Sequence, residues 1–171
     1  MNRGLTAFVV ASGFVTALIV IGAPLLRMAS TSDKARNTSS DYRLAQAREF
    51  FDTFAQLDKQ RDLEILNMYS DTAIVIDRRP SPNGQLTDLK IPIVAFKPML
   101  KGLFTVAKAA GDPPTVYRDI EQYVEGDGIR IESDGYSPSE EFQRRLSMLI
   151  LPAGEHTWKI EELIVESPDV R

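Results

Sequence analysis

The run Asp62-Leu63-Glu64-Ile65-Leu66-Asn67-Met68-Tyr69-Ser70-Asp71-Thr72-Ala73-Ile74-Val75-Ile76-Asp77-Arg78-Arg79 changes period half-way along. Asp62 suits a helix cap, because its carboxylate accepts from backbone N–H groups that have no partner in a first turn. Leu63, Leu66 and Tyr69 then recur every three residues, with Ile65 and Met68 beside them, which predicts a short helix with one apolar side. Ser70-Asp71 is expected to end it. From Thr72 the pattern alternates, and the β-branched Ile74, Val75 and Ile76 favour an extended strand. Ile74 and Ile76 are expected on one packing face. Ala73 and Val75 share the other, and there Asp77 stands where a hydrophobe would continue the pattern.

Upstream, Leu44, Ala47, Phe51 and Phe54 recur at helical spacing from Tyr42 to Leu57, flanked by Phe50 and Leu57. Downstream, Arg79 to Gln85 reads as a loop, with two prolines and an Asn-Gly pair that invites positive φ. Ile91 to Ala110 predicts another helix, with Met99, Leu100, Leu103, Phe104 and Ala107 on its apolar side. Pro98 is expected either to start or to kink it, since an interior proline removes a donor and clashes with the turn before. Lys97, Lys101 and Lys108 predict a solvated face, and Gly111 with Pro113-Pro114 marks the end. The last third alternates at period two. Val116–Val124 and Ile129–Asp134 flank Gly126-Asp127-Gly128, where glycine supplies the positive φ of a hairpin. Phe142–Leu151 and Trp158–Val165 form a second hairpin pair. Helices followed by successive antiparallel strands predict an α+β domain, a curved antiparallel sheet wrapped around a long helix.

The helix of Asp62-Leu63-Glu64, then Met68-Tyr69-Ser70-Asp71 and the strand through Ala73 and Val75, resembles the opening of the nuclear transport factor 2-like superfamily. Trp158-Lys159-Ile160, opening a last strand after Gly154-Glu155-His156-Thr157, is similar to its far end. The resemblance spans roughly Tyr42 to Glu166 and implies a cystatin-like cone. The group includes ketosteroid isomerase, scytalone dehydratase and polyketide cyclases, besides many domains without catalytic activity.

The other strong signal is at the start of the chain. Gly4 to Leu26 contains no charged residue and is long enough to cross a bilayer as a helix, whereas a helix buried in a soluble core would be amphipathic. Residues 5–26 are expected to contact the membrane as a single span. Ile21-Gly22-Ala23 followed by Pro24 makes a poor cleavage site, which favours an uncleaved anchor. Residues 1–27 are thus read as a signal-anchor, 28–41 as a Ser/Thr-rich linker, 42–167 as the domain and 168–171 as a tail. Positive charges favour the cytoplasm for the domain, since Arg27, Lys34, Arg36 and Arg43 follow the segment and only Arg3 precedes it. The short N-terminal stub favours export, and a periplasmic or extracellular domain is the expectation.

Composition removes several chemistries. With 20 basic against 24 acidic residues and a net charge of −4, no basic field exists to hold nucleic acid. Zero cysteines exclude thiol chemistry, and one histidine, His156 in a predicted turn, excludes a multi-histidine metal site. No cofactor or metal is expected. The resemblance implies that Asp77 matches the general-base aspartate of ketosteroid isomerase-like enzymes, which an apolar cavity would make more basic. That family's oxyanion tyrosine has no counterpart, the position falling near Thr53. The bland reading of Asp77 is an ion pair with Arg78, Arg79 or a cross-strand arginine. The expected walls of a cavity for a small apolar ligand are Phe51, Phe54, Tyr69, Val75, Phe104, Tyr123 and Trp158. Two functions follow. One is a membrane-anchored, non-catalytic binding or assembly domain that meets itself or a membrane protein, a layout similar to the bridging subunits of type IV secretion systems. The other is a small-molecule isomerase, dehydratase or cyclase using Asp77.

Overall fold

The computed structural model describes residues 39–81, 83–138, 142–154 and 157–166. The chain divides into two units, Met1–Tyr42 and Arg43–Arg171, and the sheet lies in the second. The segment read as a membrane span and His156 lie outside the described residues. Among the described residues, no helix is long and apolar enough to cross a membrane.

Helix α1 (39–60) buries Ala47, Phe51 and Phe54, as its spacing predicts. It ends in a left-handed residue, Arg61 at φ 52. The Arg61 N–H donates to Asp58 O at 2.9 Å and the Asp62 N–H to Leu57 O at 2.8 Å, the paired bonds that close a helix at a residue of this conformation. Asp62 then caps the next element, accepting from the Glu64 N–H at 3.0 Å. That element, Leu63–Met68, is a 3-10 helix, and its one buried residue is Ile65, while Leu63 is exposed.

Strand β1 (Tyr69–Pro80) starts earlier than the sequence suggests. Ser70 and Asp71 do not separate helix from strand. They lie in an irregular stretch where the pairing with a later strand shifts between Tyr69 and Ile74, and the Ser70 and Thr72 hydroxyls both donate to Glu161 there. Ala73 and Val75 face the core. Ile76 is buried on the opposite side, but Ile74, on that same side and expected to be packed, is 39% exposed at the edge of the irregular stretch.

Strand β2 (Leu86–Pro92) was not foreseen. It is an edge strand, exposed along almost its whole length, so it carries no alternating burial for a sequence to show. A tight turn with Gly84 at φ 78 joins it to β1. The cross-strand partners Arg78 and Asp88 are bound by two hydrogen bonds, at 2.8 and 3.0 Å. Helix α2 (Ile93–Ala110) runs through Pro98, which therefore does not start it. It ends at Gly111, φ 70, with Gly111 N–H donating to Lys108 O and Asp112 N–H to Ala107 O.

Strands β3 (Val116–Glu125), β4 (Gly128–Ser137), β5 (Phe142–Pro152) and β6 (Trp158–Glu166) complete a six-stranded sheet in the order β2-β1-β6-β5-β4-β3. The sheet is not wholly antiparallel. β1 and β6 pair in parallel, joining the β1–β2 hairpin to the β3–β6 meander. Gly126, φ 57, opens the two-residue turn between β3 and β4, as in a type II′ hairpin. Gly128 is needed for another reason, since a Cβ there would stand 2.6 Å from Ile150 O. α1, the 3-10 helix and α2 cover the inner face of the curved sheet, with Phe51, Ile65, Ile131, Met148 and Ile160 in the core.

Candidate ligand-binding cavity

The inner face is not filled to its edge. A cavity of about 390 Å³ remains between the end of α1, the 3-10 helix, α2 and the sheet. Phe54, Ile65, Phe96, Leu100, Phe104 and Leu163 make its walls apolar, and Asp58, Arg61, Tyr69, Tyr117 and Arg144 bring polar groups to it.

Asp58 belongs to the stripe of Ala47, Phe51 and Phe54, continuing it at the next helical step, so the geometry of α1 carries its carboxyl inward. The Tyr117 hydroxyl donates to Asp58 Oδ2 at 3.0 Å. Burial pushes the Asp58 carboxyl above its ordinary range, against the opposing effects of the Tyr117 hydrogen bond and the Arg61 charge. Burial also pushes both tyrosines up, and the Asp58 charge adds to it. Both hydroxyls therefore stay protonated at neutral pH, as donors beside a carboxyl that ionises reluctantly.

Aromatic contacts fix the pair. The Tyr117 ring meets Phe51 edge-on, with centroids 5.5 Å apart, and lies 6.1 Å from Phe54. Tyr69 packs on Phe96 of α2 at 5.7 Å. Arg61 secures the rim, its guanidinium donating to the carbonyls of Asp112 at 2.5 Å and Pro113 at 3.4 Å, so the end of α1 is fastened to the loop that leaves α2. The left-handed backbone at Arg61 is costly for a residue with a Cβ, and the side-chain bonds explain why glycine does not replace it.

Of the residues expected to line a pocket, Phe54, Tyr69 and Phe104 do so. Phe51 and Val75 are buried in the core behind the wall. Trp158 packs at the far end of β6, where Arg43 lies 5.8 Å from its ring. Tyr123 lines a separate cleft on the outer face of the sheet. Asp77 is not among the residues that wall the cavity, and Arg79 holds its carboxylate through Nε at 2.8 Å and Nη2 at 2.5 Å. Asp58 does line the cavity, with its carboxyl held by Tyr117. An acid at the next step of an apolar helical stripe was the signal in the sequence that would have found it.

No protein-family profile matches the chain, and neither does any curated protein. Solved structures do. An NTF2-like protein of unknown function from Silicibacter pomeroyi superposes with a TM-score of 0.54 at 15% identity, over 75% of this chain and 98% of its own. An NTF2-like protein with a cystatin-like fold from Novosphingobium aromaticivorans gives 0.53 at 12% identity, over 82% and 89%. A candidate dehydratase of the NTF2-like family from Streptomyces avermitilis gives 0.51 at 12% identity, over 75% and 98%. At such identities the likeness establishes the fold, which is NTF2-like, and leaves the activity to be argued from the site.

Proposed function

We propose that this chain is a membrane-tethered domain that binds a small, largely apolar molecule carrying one hydrogen-bonding group. One observation carries the reading: an apolar cavity whose polar pole is a half-buried carboxyl bonded to a tyrosine, Asp58 with Tyr117. A ligand hydroxyl or carbonyl at that pole finds an acceptor in Asp58 or a donor in Tyr69, while its hydrocarbon displaces water from the phenylalanine and leucine walls. The uncharged run from Gly4 to Leu26 supports a tether.

A second reading follows from the raised pKa of Asp58. A carboxyl that holds its proton more tightly than usual is a stronger base when ionised, which suits proton abstraction from a bound carbon acid, with Tyr69 as donor to the oxygen that gains charge. Isomerisation and dehydration belong to that class, and Asp58 takes the role that the family resemblance implied for Asp77.

The test is calorimetric. The full chain in nanodiscs is melted with and without 2-naphthol, a flat apolar phenol. Binding stabilises the folded state by about 2.7 kcal/mol at a hundredfold excess over Kd. Leu100→Trp, which fills the cavity, should abolish that gain without lowering the melting temperature of the free protein. An equal gain in both proteins, or none in either, defeats the reading.

A further inference from the structure

Helix α2 is apolar over more of its circumference than the core uses. Phe96, Leu100, Phe104 and Ala107 face inward. A second stripe, Ala95, Met99, Leu103, Val106 and Ala110, follows at steps of four, four, three and four, and every member is exposed. Leu103 is 61% and Val106 67% exposed. The helix has no acidic residue, and its three charges, Lys97, Lys101 and Lys108, lie together on the opposite side of the axis from the stripe. No charged side chain of α2 would be desolvated if the stripe were covered.

Leu103 and Val106 also line the cavity. The exposed stripe is therefore the lip of its mouth, and whatever covers the stripe controls what enters. A second copy of the chain is a poor fit. Five such side chains, two of them alanines, make a patch on the order of a few hundred Å², well below the roughly 800 Å² per partner of a stable protein pair. A lipid surface needs no matching shape. Residues 27–38 join the uncharged run to α1 and span at most about 40 Å when extended. A domain held that close to a bilayer samples it at an effective concentration that makes a weak contact sufficient.

We infer that the α2 lip docks into the bilayer to which the chain is tethered, with Met99, Leu103 and Val106 about 5–10 Å deep at the headgroup boundary. The cavity then opens onto the acyl region, and its ligand is an amphiphile drawn from the membrane, with its polar end at Asp58. This deepens the ligand-binding reading and rests on it and on the tether.

The chain lacks cysteine, so Met99→Cys, Leu103→Cys and Lys101→Cys each accept one environment-sensitive nitrobenzoxadiazole label. The labelled full chain is reconstituted in phosphatidylcholine vesicles, with and without lipids bearing a nitroxide on the acyl chain. The chain should float with the vesicles. Labels at positions 99 and 103 should shift to the blue and lose most of their intensity to the nitroxide, while the label at 101 should stay at its aqueous wavelength, unquenched. Met99 is not part of the cavity wall, so its label reads docking even if the change at Leu103 disturbs the site. If the chain floats and all three labels stay aqueous, docking is refuted, while the tether and the naphthol-binding cavity stand. Blue-shifted labels untouched by lipid nitroxide, with energy transfer between copies, would give the stripe to a second copy and also refute it. A chain that stays in the aqueous fraction removes the tether and the docking with it.

Discussion

The two sides of the sheet enclose hollows of similar size and opposite chemistry. The inner cavity and the outer cleft each measure about 390 Å³. Outside, acids and bases are matched. Arg130 bonds Glu125 and Glu162, Arg145 bonds Glu132, and Arg78 bonds Asp88. The arginines hold Glu125 and Glu132 below the usual carboxylate range. Inside, Asp58 has Tyr117 as its hydrogen-bond donor, and burial outweighs the nearby positive charge and drives its pKa the other way. A carboxylate met by a guanidinium at every turn stabilises a surface. One held with a neutral partner in an apolar hollow keeps its proton more tightly, and groups so shifted cluster at ligand and catalytic sites.

Substitutions at four positions break or sharpen this contrast. The largest effect is expected from Arg130→Met, because the Arg130 side chain is only 11% exposed between two acids. Removing one partner of a fully buried pair costs about 3–5 kcal/mol. Glu125 and Glu162 are 44% and 32% exposed, so water relieves part of that penalty, and a loss of about 1–3 kcal/mol in urea denaturation is expected.

Asp58→Asn comes next, and its sign distinguishes the faces. The raised pKa means that Asp58 contributes most to stability below its ordinary value of 3.8 and loses that contribution as pH rises through its folded value. Glu125 and Glu132, whose pKa values are lowered, contribute above their ordinary 4.5 and lose it as pH falls through their folded values. Asp58→Asn should therefore raise the neutral-pH melting temperature and remove the loss on alkalinisation, while leaving the acid limb unchanged. A neutral-pH melting temperature equal to or below that of wild type would place the Asp58 carboxyl in water.

Arg61 gives a smaller effect, read as a difference between two variants. Arg61→Gly and Arg61→Ala both lose the bonds to Asp112 and Pro113, but only glycine adopts φ 52 without penalty. Alanine should be the less stable by about 1 kcal/mol in chemical denaturation. If both cost the same, the backbone at Arg61 is relaxed and the rim bonds alone matter. The smallest effect belongs to Asp77→Asn. Its partner Arg79 is 70% exposed, and a solvated pair of that kind adds little to stability, so the urea midpoint should stay nearly unchanged. Naphthol binding should not change. A loss of binding in this variant would return Asp77 to the site.

Whatever repeats over short distances could be read from the residues alone. The stripe of α1, the Asp62 cap, the extended β-branched run of β1 and the Gly126 turn follow from steps of two, three or four residues, and the structure keeps them. The uncharged run from Gly4 to Leu26 is equally plain as a pattern. Strand β2 was not legible, because an exposed edge has no alternation, and neither was the parallel pairing of β1 with β6, whose partners lie some ninety positions apart. The site was half visible. The aromatic wall residues Phe54, Tyr69 and Phe104 announce themselves by type, whereas Asp58 and Asp77 each continue an apolar stripe, one on a helix and one on a strand. Only the packed molecule separates them, because it places the end of α1 against Tyr117 and leaves Asp77 beside Arg79. Local geometry settles which elements form, but a carboxyl's environment is made by residues distant in sequence, and that environment sets its charge.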